Sequence, residues 1–324
     1  MKKLNVHEEF IEALEAKISK KSELADLIAD SLFIEKESAY RRLRGDVQFS
    51  FQEVITLAKK LNISLDKIMD IAPLKSRPFY LKLVNYAEPQ ALDYAMAEEY
   101  VSVLKEIVED PQAQLGGTVK MFPDVIHLKF KNITRFYFFK WIYQYGNNAQ
   151  PAKFQNVKAD SRILDILSEQ LYLLQQIKNS YLIFDSDVFK DFIKDVHYFH
   201  EIDLLTLEDV KLLQEDLMLL IDYVEYISNR GINEHGNNVE IYITNVDFDT
   251  GAVYIDSDKY KLIFIRCFTL HDITSLDRYT LDTVKQWMNA LKRTSLKISE
   301  SAEIQRKKFF NQQRKYVKEM CNYD

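Results

Sequence analysis

Two stretches, Lys21-Ser-Glu-Leu-Ala-Asp-Leu-Ile28 and Glu37-Ser-Ala-Tyr-Arg-Arg-Leu-Arg-Gly45, decide how the first part of this 324-residue chain is read. In the first, Leu24, Leu27 and Ile28 recur at helical spacing. In the second, Ala39 and Leu43 lie one turn apart, and Gly45 supplies a stop because glycine takes a left-handed φ at little cost. Working outward, Val6, Phe10, Ile11, Leu14 and Ile18 mark an earlier amphipathic helix. Downstream, Ser50-Phe-Gln-Glu53 is a capping box, in which hydroxyl and carboxylate each satisfy an orphan backbone donor. It opens a helix with Val54, Leu57, Ala58 and Leu61 inward, and Ser64 caps a short fifth helix holding Leu65 and Ile68. Pro73 and Pro78 interrupt any continuing helix, since proline lacks an N–H and disfavours helix in the residue before it. The spacing therefore predicts a five-helix domain over 1–72, a linker over 73–78 and a second domain over 79–324.

The two quoted stretches, with Leu57-Ala58 and the ending Leu61-Asn-Ile-Ser-Leu-Asp66, resemble the phage-repressor-like (XRE) helix-turn-helix family. The match spans roughly residues 5–70. The resemblance implies a lambda-repressor-like domain that binds double-stranded DNA as a homodimer. Ala25 to Ala39 covers about four positions more than the short turn of that family, so the second helix or the turn is extended. The arrangement is also similar to a Bacteroidetes-type group of bacterial regulators that join such a domain to a long, uncharacterised, mostly helical C-terminal region.

In such a fold the third helix presents one face to base edges in the major groove. With Ala39 and Leu43 inward, and the helix matched by its terminal Gly45, the base-reading positions are Lys36, Glu37, Tyr40 and Arg41. Arginine can donate two hydrogen bonds to guanine, and Glu37 can accept one from cytosine. Lys21, Ser22, Arg42, Arg44, Gln48 and Ser50 fall near helix starts and loops where phosphates dock.

Beyond residue 79 the pattern is mostly helical. Leu92, Met96, Val103, Leu104 and Ile107 mark one helix. An aromatic stretch from Phe122 to Tyr145, read as helix after Pro123, suits core packing or the wall of a small-molecule pocket. Val210, Leu213, Leu217, Leu220, Val224 and Ile227 form a heptad-like seam, either a dimer surface or internal core. The apolar residues Leu212, Leu219 and Ile221 off the seam favour core. From Val239 to Phe268 the period changes to two, with Asp249-Thr-Gly251 as a turn, which predicts a small three-stranded antiparallel meander. The fold expected is mainly α: a helix-turn-helix domain plus a larger, mostly helical α+β domain.

Seven glycines and six prolines are too few for collagen-like or linker-rich chains, and 47% hydrophobic content argues against extensive disorder. Cys267 and Cys321 cannot form a disulfide framework, which fits a reducing compartment. There is no apolar leader at the start and no long apolar run, so a cytoplasmic protein with no membrane partner is expected. The net charge of −6 hides a gradient. Residues 1–72 are close to neutral, 160–230 are acidic, and 292–318 are basic. The basic run, including Lys292, Lys297, Arg306, Lys307 and Arg314, can track phosphates, dock on the acidic helices, or stay solvated.

Other patterns fall short of chemistry. Asp195, His197, His200 and Glu201 share a helix but lack a third histidine or cysteine at zinc spacing. Asp247-Phe-Asp249-Thr-Gly251 opens like a calcium loop, yet Ala252 stands where glycine is required. Gly116-Gly117 continues into no P-loop, and no nucleophile elbow exists. The reading is of a non-enzymatic, sequence-specific transcriptional regulator with no cofactor or metal. Residues 79–324 would serve dimerisation or sensing of an unidentified small-molecule effector. The competing reading is a protein-interaction module that keeps the helical fold without gripping DNA.

Overall fold

The computed structural model describes residues 6–18, 20–61, 63, 65–68, 79–86, 88–145 and 153–321. The chain divides into two compact units, Met1–Arg77 and Pro78–Asp324. The linker read over 73–78, and Asn62 and Ser64 of the family-like ending, lie outside the described residues.

In the first unit, helices α1 (Val6–Lys17), α2 (Lys21–Leu32), α3 (Lys36–Leu43), α4 (Phe51–Leu61) and α5 (Leu65–Ile68) enclose one small core. Phe10, Leu14, Leu24, Ala25, Ile28, Ala39, Leu43, Phe49, Leu57, Ala58 and Ile68 are buried in it. The extra length between Ala25 and Ala39 goes into α2 itself, because only Phe33, Ile34 and Glu35 separate α2 from α3. Gly45, at φ 79°, ends α3 as its sequence position predicts. Its N–H donates to Arg42 and the Asp46 N–H to the Arg41 carbonyl, which satisfies two carbonyls the helix leaves open.

The second unit departs from the expected mainly-α fold with a small sheet. Its centre is an eight-stranded mixed sheet of order β1-β7-β6-β5-β2-β3-β4-β8. The strands are β1 (Tyr80–Lys82), β2 (Gln114–Val119), β3 (Asn179–Asp185), β4 (Asn238–Thr244), β5 (Ala252–Asp256), β6 (Lys261–Cys267), β7 (His271–Ser275) and β8 (Leu296–Lys297). The neighbours β2, β3 and β4 run parallel, and the other pairs are antiparallel. The expected meander is also corrected. β4 does not pair with β5, since β2 and β3 lie between them, and the true antiparallel run is β5-β6-β7. β2 and β3 escaped the alternation rule because parallel strands covered on both faces read as unbroken apolar runs such as Tyr181-Leu-Ile-Phe184.

Helices α6 (Ala91–Ile107), α7 (Asp124–His127), α8 (Lys131–Tyr145), α9 (Ser161–Gln176), α10 (Val188–Glu201), α11 (Leu207–Arg230) and α13 (Glu303–Glu319) contribute to one large core. α12 (Arg278–Thr294) contributes to another. Alternation along β3 shows the division: Leu182 and Phe184 belong to the first core, Tyr181 and Ile183 to the second. The seam Val210–Ile227 is internal, with Leu213, Leu217 and Leu220 fully buried. The aromatic stretch is core as well, with Phe136, Phe138 and Phe139 on α8 shielded from solvent. No described helix is long and apolar enough to cross a membrane.

Candidate nucleic-acid interface

α3 buries only Ala39 and Leu43, so the rest of its surface is presented by the first unit's own packing. Glu37, Arg41 and Arg44 are exposed at spacings of four and three, along one side of the helix, and Tyr40 leans half-buried against the core. Arg41 forms no ion pair or side-chain hydrogen bond among the described residues. Its neighbours are engaged. Lys36 reaches Asp26 of α2 at 2.5 Å, and this hydrogen bond raises its ammonium above the ordinary value. Arg44 lies 3.1 Å from Glu37 and 2.9 Å from Asp46. Such solvent-exposed pairs add little to stability, so exchanging a carboxylate for a phosphate costs the fold little.

Of the residues read as phosphate contacts, Ser22, Gln48, Ser50 and Arg44 are exposed, and Lys21 lies 3.2 Å from Glu15. Arg42 is different. Its guanidinium donates to Glu53 at 2.8 and 3.3 Å and to the Ser38 carbonyl at 3.3 Å, tying α3 to α4. Ser50 and Glu53 form the expected capping box, each backbone N–H donating to the other's side chain. Burial would raise the Glu53 carboxyl, but the Ser50 N–H and Arg42 outweigh it and hold it below the usual range. The sequence reading overlooked Phe33, which is 95% exposed in the turn between α2 and α3.

A second polar cluster, also unannounced by any motif, is buried in the larger unit. Arg266 of β6 donates to Asp124 of α7 at 2.8 Å and lies 3.2 Å from Asp272 of β7. Gln170 of α9 donates to the other Asp124 oxygen at 2.8 Å, and His127 meets Asp124 at 3.2 Å. Burial raises Asp272 to about 6 against the attraction of Arg266. Burial would raise Asp124 too, yet Arg266 and His127 prevail and hold it well below the carboxylate range. Burial lowers His127 despite that carboxylate. The cluster clasps two strands to two helices. The one signal for it in the sequence was a charged residue, Arg266, inside the apolar run Leu262–Phe268.

The remaining signals resolve into structure. His197 meets the Met320 carbonyl at 2.9 Å, His200 the Leu205 carbonyl at 2.8 Å, and Asp195 pairs with Lys140. Asp247, of the calcium-like loop, accepts from Lys120 at 2.9 Å, and Asp185 accepts from the same ammonium at 2.7 Å. Among the described residues no group of His, Cys, Asp and Glu could hold a metal ion. The basic run docks on the chain itself in places: Arg314 reaches Asp222 and Glu225 of α11, and Lys292 and Lys297 reach Glu240.

The first unit is thus a small five-helix domain in which α3 exposes cationic side chains, and the second is a layered α/β unit. No family model, curated protein or solved structure matches this chain.

Proposed function

We propose that the chain is a sequence-specific DNA-binding transcriptional regulator acting in the cytoplasm as a homodimer, with α3 as its reading helix. The observation that carries the reading is Arg41: an exposed guanidinium without a partner among the described residues, in the last turn of a helix whose opposite side packs on the core. A free guanidinium there can make the bidentate contact to guanine that its neighbours, held by carboxylates, would have to exchange partners to make. The larger unit supplies dimerisation or effector sensing in this reading.

Selection from random duplexes by the full chain tests it. A regulator enriches a palindromic site, and its affinity falls steeply between two salt concentrations as counterions are released. Arg41→Ala is expected to cost about 1–3 kcal/mol and to relax one base position in each half-site. Indiscriminate binding by both proteins refutes the proposal.

A second reading, a protein-interaction module, is favoured by the carboxylates that neutralise Lys36, Arg42 and Arg44. It predicts no enriched site at either salt concentration.

A further inference from the structure

Phe33 has a conformation and an exposure that the fold does not use. It ends α2 at φ 54° and ψ 46°, in the left-handed region. Its N–H donates to the Ala29 carbonyl, as does the Ile34 N–H at 3.0 Å. Glycine or asparagine is the usual occupant of such a helix stop, because a β-carbon crowds the backbone there. A phenylalanine that packed into the core would recover the strain through burial. This one is 95% exposed and recovers nothing within the unit.

Its position indicates what could cover it. The exposed α2 residues Ser22, Asp26 and Asp30 succeed one another at four-residue spacing, and Asp26 reaches across to Lys36 at the first residue of α3. Phe33 opens the three-residue turn before Lys36, which places this exposed residue at the N-terminal end of α3. In a helix-turn-helix that end meets the base edges. A phenyl ring gains nothing from phosphate oxygens. The apolar group that a major groove displays is the C5-methyl of thymine.

We propose that Phe33 reads a thymine through its methyl group, beside the bases facing Lys36 and Glu37. This rests on α3 being a DNA-reading helix and names the kind of base pair, A·T, that its leading end selects. The contact requires no new conformation of the turn, since the ring already stands in solvent.

The test replaces each thymine of the selected operator in turn by uracil, which removes the methyl group alone. Wild-type protein is expected to lose about fourfold in affinity at one position of each half-site, the worth of one buried methyl group. Phe33→Gly and Phe33→Asn should show no loss there and should keep the other base preferences. Both residues accept the left-handed conformation, so both variants should stay folded, as circular dichroism would report. A wild type indifferent to uracil, or variants as sensitive as the wild type, overturns the inference while leaving DNA recognition by α3 intact. A wild type that selects no operator overturns both.

Discussion

At the scale of single residues, the buried charges carry the sharpest consequences. Arg266 keeps 17% of its side-chain surface exposed and faces two carboxylates. Removing one partner of a buried ion pair is far more damaging than the pair is stabilising, because the remaining charge is left without compensation. Arg266→Met should therefore cost about 3–5 kcal/mol in urea unfolding at pH 7. Asp272 should behave in the opposite sense. A carboxyl raised to about 6 binds its proton more tightly folded than unfolded, so its contribution falls as pH rises from the ordinary carboxylate range to that value. Asp272→Asn keeps an oxygen to accept from Arg266 and removes this penalty. It should unfold at higher urea than the wild type at pH 7, by about 1–3 kcal/mol, less than the full worth of the shift because 24% of the side chain meets solvent. Below pH 4 the two proteins should converge. A wild type as stable as the variant at pH 7 would show that Asp272 carries no such penalty. A lone arginine among Leu, Ile and Phe announces a buried partner; Asp272 faces it across the β6–β7 hairpin, but Asp124 comes from α7, far along the chain, and that meeting depends on the tertiary fold. That part of the cluster was not legible from local sequence.

At the scale of elements, two glycines do different work. Gly45 has open space around the place of a β-carbon, and only its φ of 79° resists a side chain. Gly45→Ala should cost about 1–2 kcal/mol, read as a lower unfolding midpoint of the first unit. Gly116 has an ordinary φ but no room. A β-carbon there would stand 2.4 Å from the Tyr254 ring and 2.6 Å from that of Tyr181. Gly116→Ala should cost about 1–3 kcal/mol by forcing both rings aside, with the loss confined to the larger unit. An unchanged midpoint would show that the rings yield freely. The contrast explains what the sequence disclosed. Gly45 closes a periodic helix and is legible as a stop. Gly116-Gly117 in isolation suggests a loop, because the tyrosines that demand a bare backbone lie 65 and 138 residues further on. The same logic hid β2 and β3. Alternation reveals strands with one wet face, and these have none.

At the scale of the whole molecule, helices with one polar side and the acidic and basic runs were readable, whereas the pairing of distant strands was not. The helical seam of α11 shows why pattern alone left two outcomes open. Heptad spacing from Val210 to Ile227 serves equally to join two copies or to close one core, and the choice depends on what packs opposite. Here α8, α10 and α13 pack on α11, and Leu217 is wholly buried within one chain. A homodimer suited to a palindromic operator must therefore use another surface. Leu217→Ala distinguishes the cases. Truncating a fully buried leucine should cost about 2–5 kcal/mol. If the side chain seals an internal core, that loss appears as a lower unfolding midpoint of the larger unit that does not vary with protein concentration. Were it an interface residue, mass action would make the midpoint and its mutational shift depend on concentration. The two units have separate cores, so the same substitution should leave the first unit's unfolding in place, and Leu57→Ala in α4 should do the reverse. Measuring both variants at two protein concentrations tests the separation of the cores and the internal role of α11. A concentration-dependent midpoint for Leu217→Ala would return α11 to the dimer surface.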